Sequence, residues 1–223
     1  MDSKLFIQAF SKFAIGVLLV AALIFIPAWS VLYWQGWLFM GLLFLPMFLV
    51  GVVMLFKSPG LLRKRLNNKE TEEEQKVVVI FSVIIFVSTF IVAGLNFKFK
   101  WIVLPDIVSY IASFIFLIGY VLYAEVLREN TFLSRTIEVQ ENQQVIDTGL
   151  YGLVRHPMYM STLFLFLSIP LILGSLFSFI IMLTYIPIII KRIRNEEKVL
   201  AESLDGYTEY MKRIKYRIIP YVW

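Results

Sequence analysis

The chain has 223 residues, of which 59% are hydrophobic and only 17% charged, against about 25% charged in an ordinary soluble domain. It has no cysteine and one histidine, which excludes disulfides, thiolate metal sites and any bis-histidine zinc or haem site. The formal net charge of +5 does not point to nucleic acid, because the basic residues follow the pattern that membrane topology requires.

Four windows contain no Asp, Glu, Lys or Arg: Phe13–Phe56, Val77–Phe97, Ile107–Ala124 and Pro157–Ile190. A helix needs about 20 apolar residues, at ~1.5 Å each, to cross the ~30 Å hydrocarbon core. The first window therefore predicts two spans with a turn at Tyr33-Trp34-Gln35-Gly36, and the next two windows predict one span each. The fourth predicts a short helical hairpin broken near Gly174-Ser175. The fold class is thus all-α, a polytopic integral membrane protein with about six transmembrane helices. Lys4 and Lys12 precede an apolar run too long for a signal peptide and without a small-x-small cleavage site, so this run reads as a retained first span. Trp29, Tyr33, Trp34 and Trp37 cluster at one end of the first hairpin and read as headgroup-level anchors. The charged 57–76 connection, with Arg63-Lys64-Arg65, Glu70 and Glu72-Glu73-Glu74, reads as a solvated surface helix. Of 21 Lys and Arg, only Lys98 and Lys100 fall opposite the N-terminus, so both termini are expected to be cytoplasmic.

The chain reads as one structural unit in two halves: residues 1–127 form a four-helix scaffold, and residues 128–223 carry the chemistry. Polarity rises from Arg128 to His156, a loop of nearly thirty residues between apolar helices. Its alternating Ile137-Glu138-Val139-Gln140 and Gln144-Val145-Ile146 are too apolar for disorder, so the loop should pack on something. Glu125, at the end of the fourth span, is placed to pair with Arg128. After the hairpin, Lys191 to Leu204 reads as a helix ended by Gly206, followed by an aromatic and basic interfacial tail.

The sequence has no G-x-G-x-x-G fingerprint, no G-K-[ST] phosphate loop and no H-E-x-x-H. It does have Gly149-Leu-Tyr151-Gly-Leu-Val-Arg155-His156-Pro157-Met-Tyr159, opening directly onto an apolar helix. Proline suits the first helical position, and exposed backbone N–H groups there would make a ready anion site beside Arg155 and His156.

One hairpin later comes Arg192-Ile-Arg-Asn-Glu196-Glu197-Lys-Val-Leu200, and the chain closes on Gly206-Tyr207-Thr-Glu-Tyr210 and Arg217-Ile-Ile-Pro220. Together, G-x-Y-x-x-x-R-H-P-x-Y and R-x-x-x-E-E-x-x-L resemble the isoprenylcysteine carboxyl methyltransferase (ICMT) family, related to the membrane phospholipid methyltransferases. The resemblance covers roughly residues 128–223. It implies an S-adenosyl-L-methionine cofactor in a cytoplasmic pocket lined by Gln143, Gln144, Val145, Ile146, Tyr151, His156, Pro157, Met158 and Tyr159, with Glu196 holding the cofactor. It implies that Arg192 faces the acceptor. Many relatives have glycine where this chain has Ser161. In this cofactor the carboxylate suits His156 and the helix start, the amino group suits Glu196, and the adenine suits Val145-Ile146 and a tyrosine face. If the acceptor is an amine, Glu197 or Glu125 is the candidate base.

The implied function is methyl transfer to a lipophilic acceptor reached through the bilayer, foremost carboxyl O-methylation of an isoprenylcysteine-like substrate; an isoprenoid or a phospholipid amine also fits. Two other classes stay open. An NADPH-dependent membrane reductase of sterol-like substrates has similar R-H-P and aromatic-Pro endings, but is usually larger and needs polar groups for a second phosphate. A small transporter or scaffold predicts polar spans, and no intramembrane charge marks an ion path here.

Overall fold

The computed structural model describes residues 3–66, 73–133 and 139–223. Its elements are α1 (Ser3–Ala28), α2 (Trp34–Lys57), α3 (Pro59–Leu66), α4 (Glu73–Phe99), α5 (Asp106–Glu129), a 3-10 turn (Gly149–Gly152), α6 (Pro157–Ile172), α7 (Leu176–Leu183), α8 (Tyr185–Ser203) and α9 (Tyr207–Arg213). No strand occurs among the described residues. Five stretches are long and apolar enough to cross a membrane: α1, α2, Val77–Phe99 of α4, α5, and Leu176–Ser203. The sixth apolar helix, α6, has only 16 residues. Large apolar side chains such as Leu18, Ile26, Phe56, Phe114 and Val121 point outward, as lipid contact requires and water does not favour. The chain is a multi-pass integral membrane protein.

Several sequence expectations need correction. The first turn is Trp29–Tyr33, because α2 already begins at Trp34. Trp29 is 77% exposed and suits an interfacial anchor, but Tyr33 is buried. Its ring stacks on Phe97 and its hydroxyl donates to the carbonyl of Leu173. The helix expected over Lys191–Leu204 is not a separate element. α7 and α8 are joined only by Thr184 and run as one rod of 28 residues, roughly 42 Å long at ~1.5 Å per residue. Helix α3 occupies part of the charged 57–76 connection, while Glu70 and Glu72 lie outside the described residues. Glu125 does pair with Arg128, at 2.6 Å.

Small residues set the helix–helix approaches, as is common where apolar helices have no hydrophobic drive to associate. A Cβ on Gly94 of α4 would lie 2.6 Å from the carbonyl oxygen of Ile24 in α1. One on Gly119 of α5 would lie 2.9 Å from Leu165 of α6. The main core, including Ile24, Phe39, Phe90, Phe116 and Ile172, sits between these pairs. Ser161 is fully buried on α6 and donates to the carbonyl of Met158 at 2.7 Å, so serine is accommodated there.

The break between α6 and α7 frees backbone carbonyls inside the bundle, where water cannot satisfy them. Side chains of other helices take them up. Ser109 donates to Leu171 at 3.3 Å, Tyr33 donates to Leu173, and Asn96 donates to Gly174 at 3.4 Å. Ser175 then caps α7 by accepting from the N–H of Ser178. This anchored turn fixes one end of the α7–α8 rod, and the candidate site forms at the other.

Candidate functional site

Along α8 the buried residues recur every fourth position: Tyr185, Ile189, Ile193, Glu197. The adjacent stripe, Arg192, Glu196, Leu200 and then Leu204 just past the helix, lines a cavity whose empty space, open mouth included, is about 820 Å³. Opposite this stripe stand the 143–146 loop, the 3-10 turn, the start of α6 and α9. Residues 60 or more apart in sequence meet here because the α6–α7 hairpin returns α8 to the start of α6.

Ten of the twelve sequence-predicted site residues line this cavity: Gln143, Gln144, Val145, Ile146, Tyr151, His156, Met158, Tyr159, Arg192 and Glu196. Pro157 does not; it is buried at the first position of α6, below the N-cap His156. Glu197 does not either. It is 5% exposed and accepts from Arg155 Nε at 2.7 Å and Arg217 Nε at 2.8 Å, with His156 Nε2 at 3.3 Å. The expected base is thus the hub of a buried ion cluster, about 100° around α8 from the cavity stripe. Glu125 is likewise absent from the cavity lining.

The anion site expected at the start of α6 is also corrected. The N–H groups of Arg155 and His156 donate to the carbonyls of Tyr216 and Arg217 at 2.9 and 2.8 Å. Arg155 Nη1 caps the carbonyls of Ile214 and Lys215 at 2.7 and 2.9 Å. The tail therefore runs alongside residues 155–156 and uses the donors that a ligand was expected to meet.

Inside the cavity the charges are arranged differently. Tyr159 donates to Glu196 Oε2 at 2.5 Å and accepts from Arg192 Nε at 2.9 Å. One buried phenol thus spaces an anion and a cation across the wall. Tyr151 accepts from Asn130 Nδ2 at 2.9 Å, and burial pushes its phenol up to about 12, so it stays neutral at physiological pH. Tyr210 donates to the carbonyl of Tyr151 at 2.8 Å. The 139–148 loop packs as expected: Val139 and Val145 lie against Leu204, Tyr207 and Tyr210, and Asp147 pairs with Arg213 of α9. Ile137 and Glu138 lie outside the described residues.

Sequence reading missed Asn130, Phe132, Leu133, Arg155, Leu200, Leu204, Tyr207 and Tyr210 as lining residues. For Leu200 and Leu204 a signal existed, the i, i+4 continuation of Arg192 and Glu196. Tyr207-x-x-Tyr210 likewise repeats at helical spacing.

Residues 107–205 match the family model described as phospholipid methyltransferase. Over 91 residues the chain is 35% identical to the Delta(14)-sterol reductase TM7SF2 of Mus musculus, a match taking in 40% of this chain and 22% of the reductase. The chain thus spans about a fifth of the length of that curated relative. The solved structure of the eukaryotic intramembrane Ras methyltransferase ICMT superposes with a TM-score of 0.60 at 18% identity, covering 96% of this chain and 77% of the other. The chain therefore shares the fold of that ICMT structure along nearly its whole length and resembles the phospholipid methyltransferase family over residues 107–205.

Proposed function

We propose that this chain is an S-adenosylmethionine-dependent membrane methyltransferase whose acceptor is lipophilic, foremost an isoprenylcysteine-like carboxylate. The observation that carries this reading is the Arg192–Tyr159–Glu196 array on the wall of a half-apolar cavity. The cofactor is a zwitterion joined to a nucleoside, and the donor set fits it. Glu196 offers a carboxylate for its ammonium, and Val145, Ile146 and Leu200 offer an apolar wall for its base. When bound, S-adenosylmethionine supplies an electrophilic methyl group on sulfur.

The chain's own residues position and desolvate. Tyr159 holds Glu196 and Arg192 at fixed spacing, and held spacing is what lets bound groups react without further ordering cost. Arg192 orients a carboxylate acceptor, whose oxygen needs no base to attack. Glu197 takes no part as a base, since its oxygens already accept from two arginines. In its place we assign it the positioning of Arg155 and His156. Tyr151, Tyr207 and Tyr210 wall the site from water. We also infer that the cavity faces the cytoplasm, on the distribution of Lys and Arg.

The sterol reductase match favours a second reading, an NADPH-dependent reductase. A dinucleotide phosphate brings several negative charges and calls for a cluster of cations. Among the described residues lining the cavity the arginines are Arg155 and Arg192, and Arg155 is already committed to Glu197 and to two carbonyls. Calorimetric titration of the detergent-purified protein with S-adenosylhomocysteine and, separately, NADPH decides between them. Micromolar binding of S-adenosylhomocysteine alone is the expected result; binding of NADPH alone overturns the methyltransferase reading.

A further inference from the structure

Four tyrosines line the cavity, and three have hydroxyl partners: Tyr151 with Asn130, Tyr159 with Glu196 and Arg192, and Tyr210 with the carbonyl of Tyr151. The fourth is Tyr207, only 4% exposed. Its hydroxyl has no hydrogen-bond partner among the described residues. A buried hydroxyl left unpaired costs free energy comparable to a full desolvation, and native structures keep few of them. Burial, with Glu197 and Glu196 adding to it, pushes the phenol well above its ordinary range, so it remains a neutral donor and acceptor.

The ring of Tyr207 is fixed. Gly206, at φ +82, makes the left-handed turn that delivers it from Leu204 onto α9. Tyr210 lies 5.6 Å away centroid to centroid, and Leu204, Leu200 and Val145 pack around it. Leu204 follows Glu196 by two turns, roughly 12 Å along the rod at ~1.5 Å per residue. The cavity therefore has a charged end at Arg192 and Glu196 and an apolar end in which the Tyr207 ring packs, and the orphan hydroxyl lies within electrostatic reach of Glu196 and Glu197.

We propose that Tyr207 is a binding residue whose hydroxyl completes its hydrogen bonding on the nucleoside portion of S-adenosylmethionine, at a ribose hydroxyl or a ring nitrogen. This rests on the methyltransferase reading above. It assigns the two ends of the cavity to the two ends of the cofactor: Glu196 to the amino acid and Tyr207 to the nucleoside. It also explains why a tyrosine stands among leucines and valines that would pack equally well against phenylalanine.

The test compares the wild-type protein with Tyr207→Phe, which removes one oxygen and keeps the ring. Binding of S-adenosylhomocysteine and of 5′-methylthioadenosine, which lacks the amino-acid end, is measured by calorimetry. The melting temperature is measured without ligand. The expected result is affinity weakened about twofold to thirteenfold for both compounds, as for one lost neutral hydrogen bond, with a ligand-free melting temperature unchanged or raised. A weakening for S-adenosylhomocysteine but not for methylthioadenosine overturns the nucleoside assignment. Unchanged affinity for both, with or without a lower melting temperature, overturns the binding role of Tyr207 and leaves the methyltransferase reading standing. Failure of the wild-type protein to bind S-adenosylhomocysteine overturns both.

Discussion

The ion cluster around Glu197 and the cavity wall around Glu196 begin one residue apart on α8 and meet through Arg155 and His156, which pair with Glu197 and also line the cavity. At Glu197, both oxygens accept from arginines, the side chain is buried, and the groups it joins come from the start of α6 and from the tail. At Glu196, one oxygen accepts from a neutral phenol and the side chain faces a cavity. A saturated carboxylate holds parts together, whereas one with bonding capacity left can meet a ligand. Two glutamates that look equivalent in sequence are separated in role by one helical step of about 100°.

Mutation should separate them in the same way. Glu197→Ala removes the partner of Arg155, which is 7% exposed and would be left as an uncompensated buried charge. Such losses cost about 3–5 kcal/mol. The expected outcome is a melting temperature lowered by roughly 6–20 °C, since each kcal/mol shifts a chain of this size by about 2–4 °C. An unchanged melting temperature would erase the distinction. Glu196→Ala should do the reverse. S-adenosylhomocysteine should bind about 10- to 100-fold more weakly, the range for hydrogen bonds to charged groups, with little change in melting. If melting falls as far as for Glu197→Ala, both glutamates are structural. Tyr159→Phe sharpens the contrast, because it touches only the cavity side. It should weaken S-adenosylhomocysteine about threefold to tenfold, as Glu196 and Arg192 lose their common spacer. Full retention of affinity would show that the spacing is set elsewhere.

Much of the fold was legible because charge-free windows of spanning length have few alternatives in a chain of this size. The α8 stripes were legible too: Tyr185, Ile189, Ile193 and Glu197 recur at four-residue spacing, as do Arg192, Glu196, Leu200 and Leu204. Read as a wheel, that pattern already places Glu197 on the apolar side, where a carboxylate must be paired. What the sequence could not supply is backbone pairing. The N–H groups of Arg155 and His156 are used by carbonyls some sixty residues later, and any residue type presents the same carbonyl. The same holds for Tyr33, whose burial depends on a carbonyl freed by the α6–α7 break. A cluster of aromatics at a helix end predicts an interfacial belt unless that break is known.

The tail's pairing with Arg155 also imposes an order on biosynthesis. Glu197 follows Arg155 by 42 residues, and the carbonyls of Ile214 and Lys215 follow it by 59 and 60. At about 5–20 residues per second, the arginine waits roughly 3–12 s before all its partners have been polymerised. During that interval α6 and then the α7–α8 rod are polymerised, while the cation at the foot of α6 still needs water. The described bilayer segments are therefore all polymerised before the carbonyls of Ile214 and Lys215 can lock the cavity.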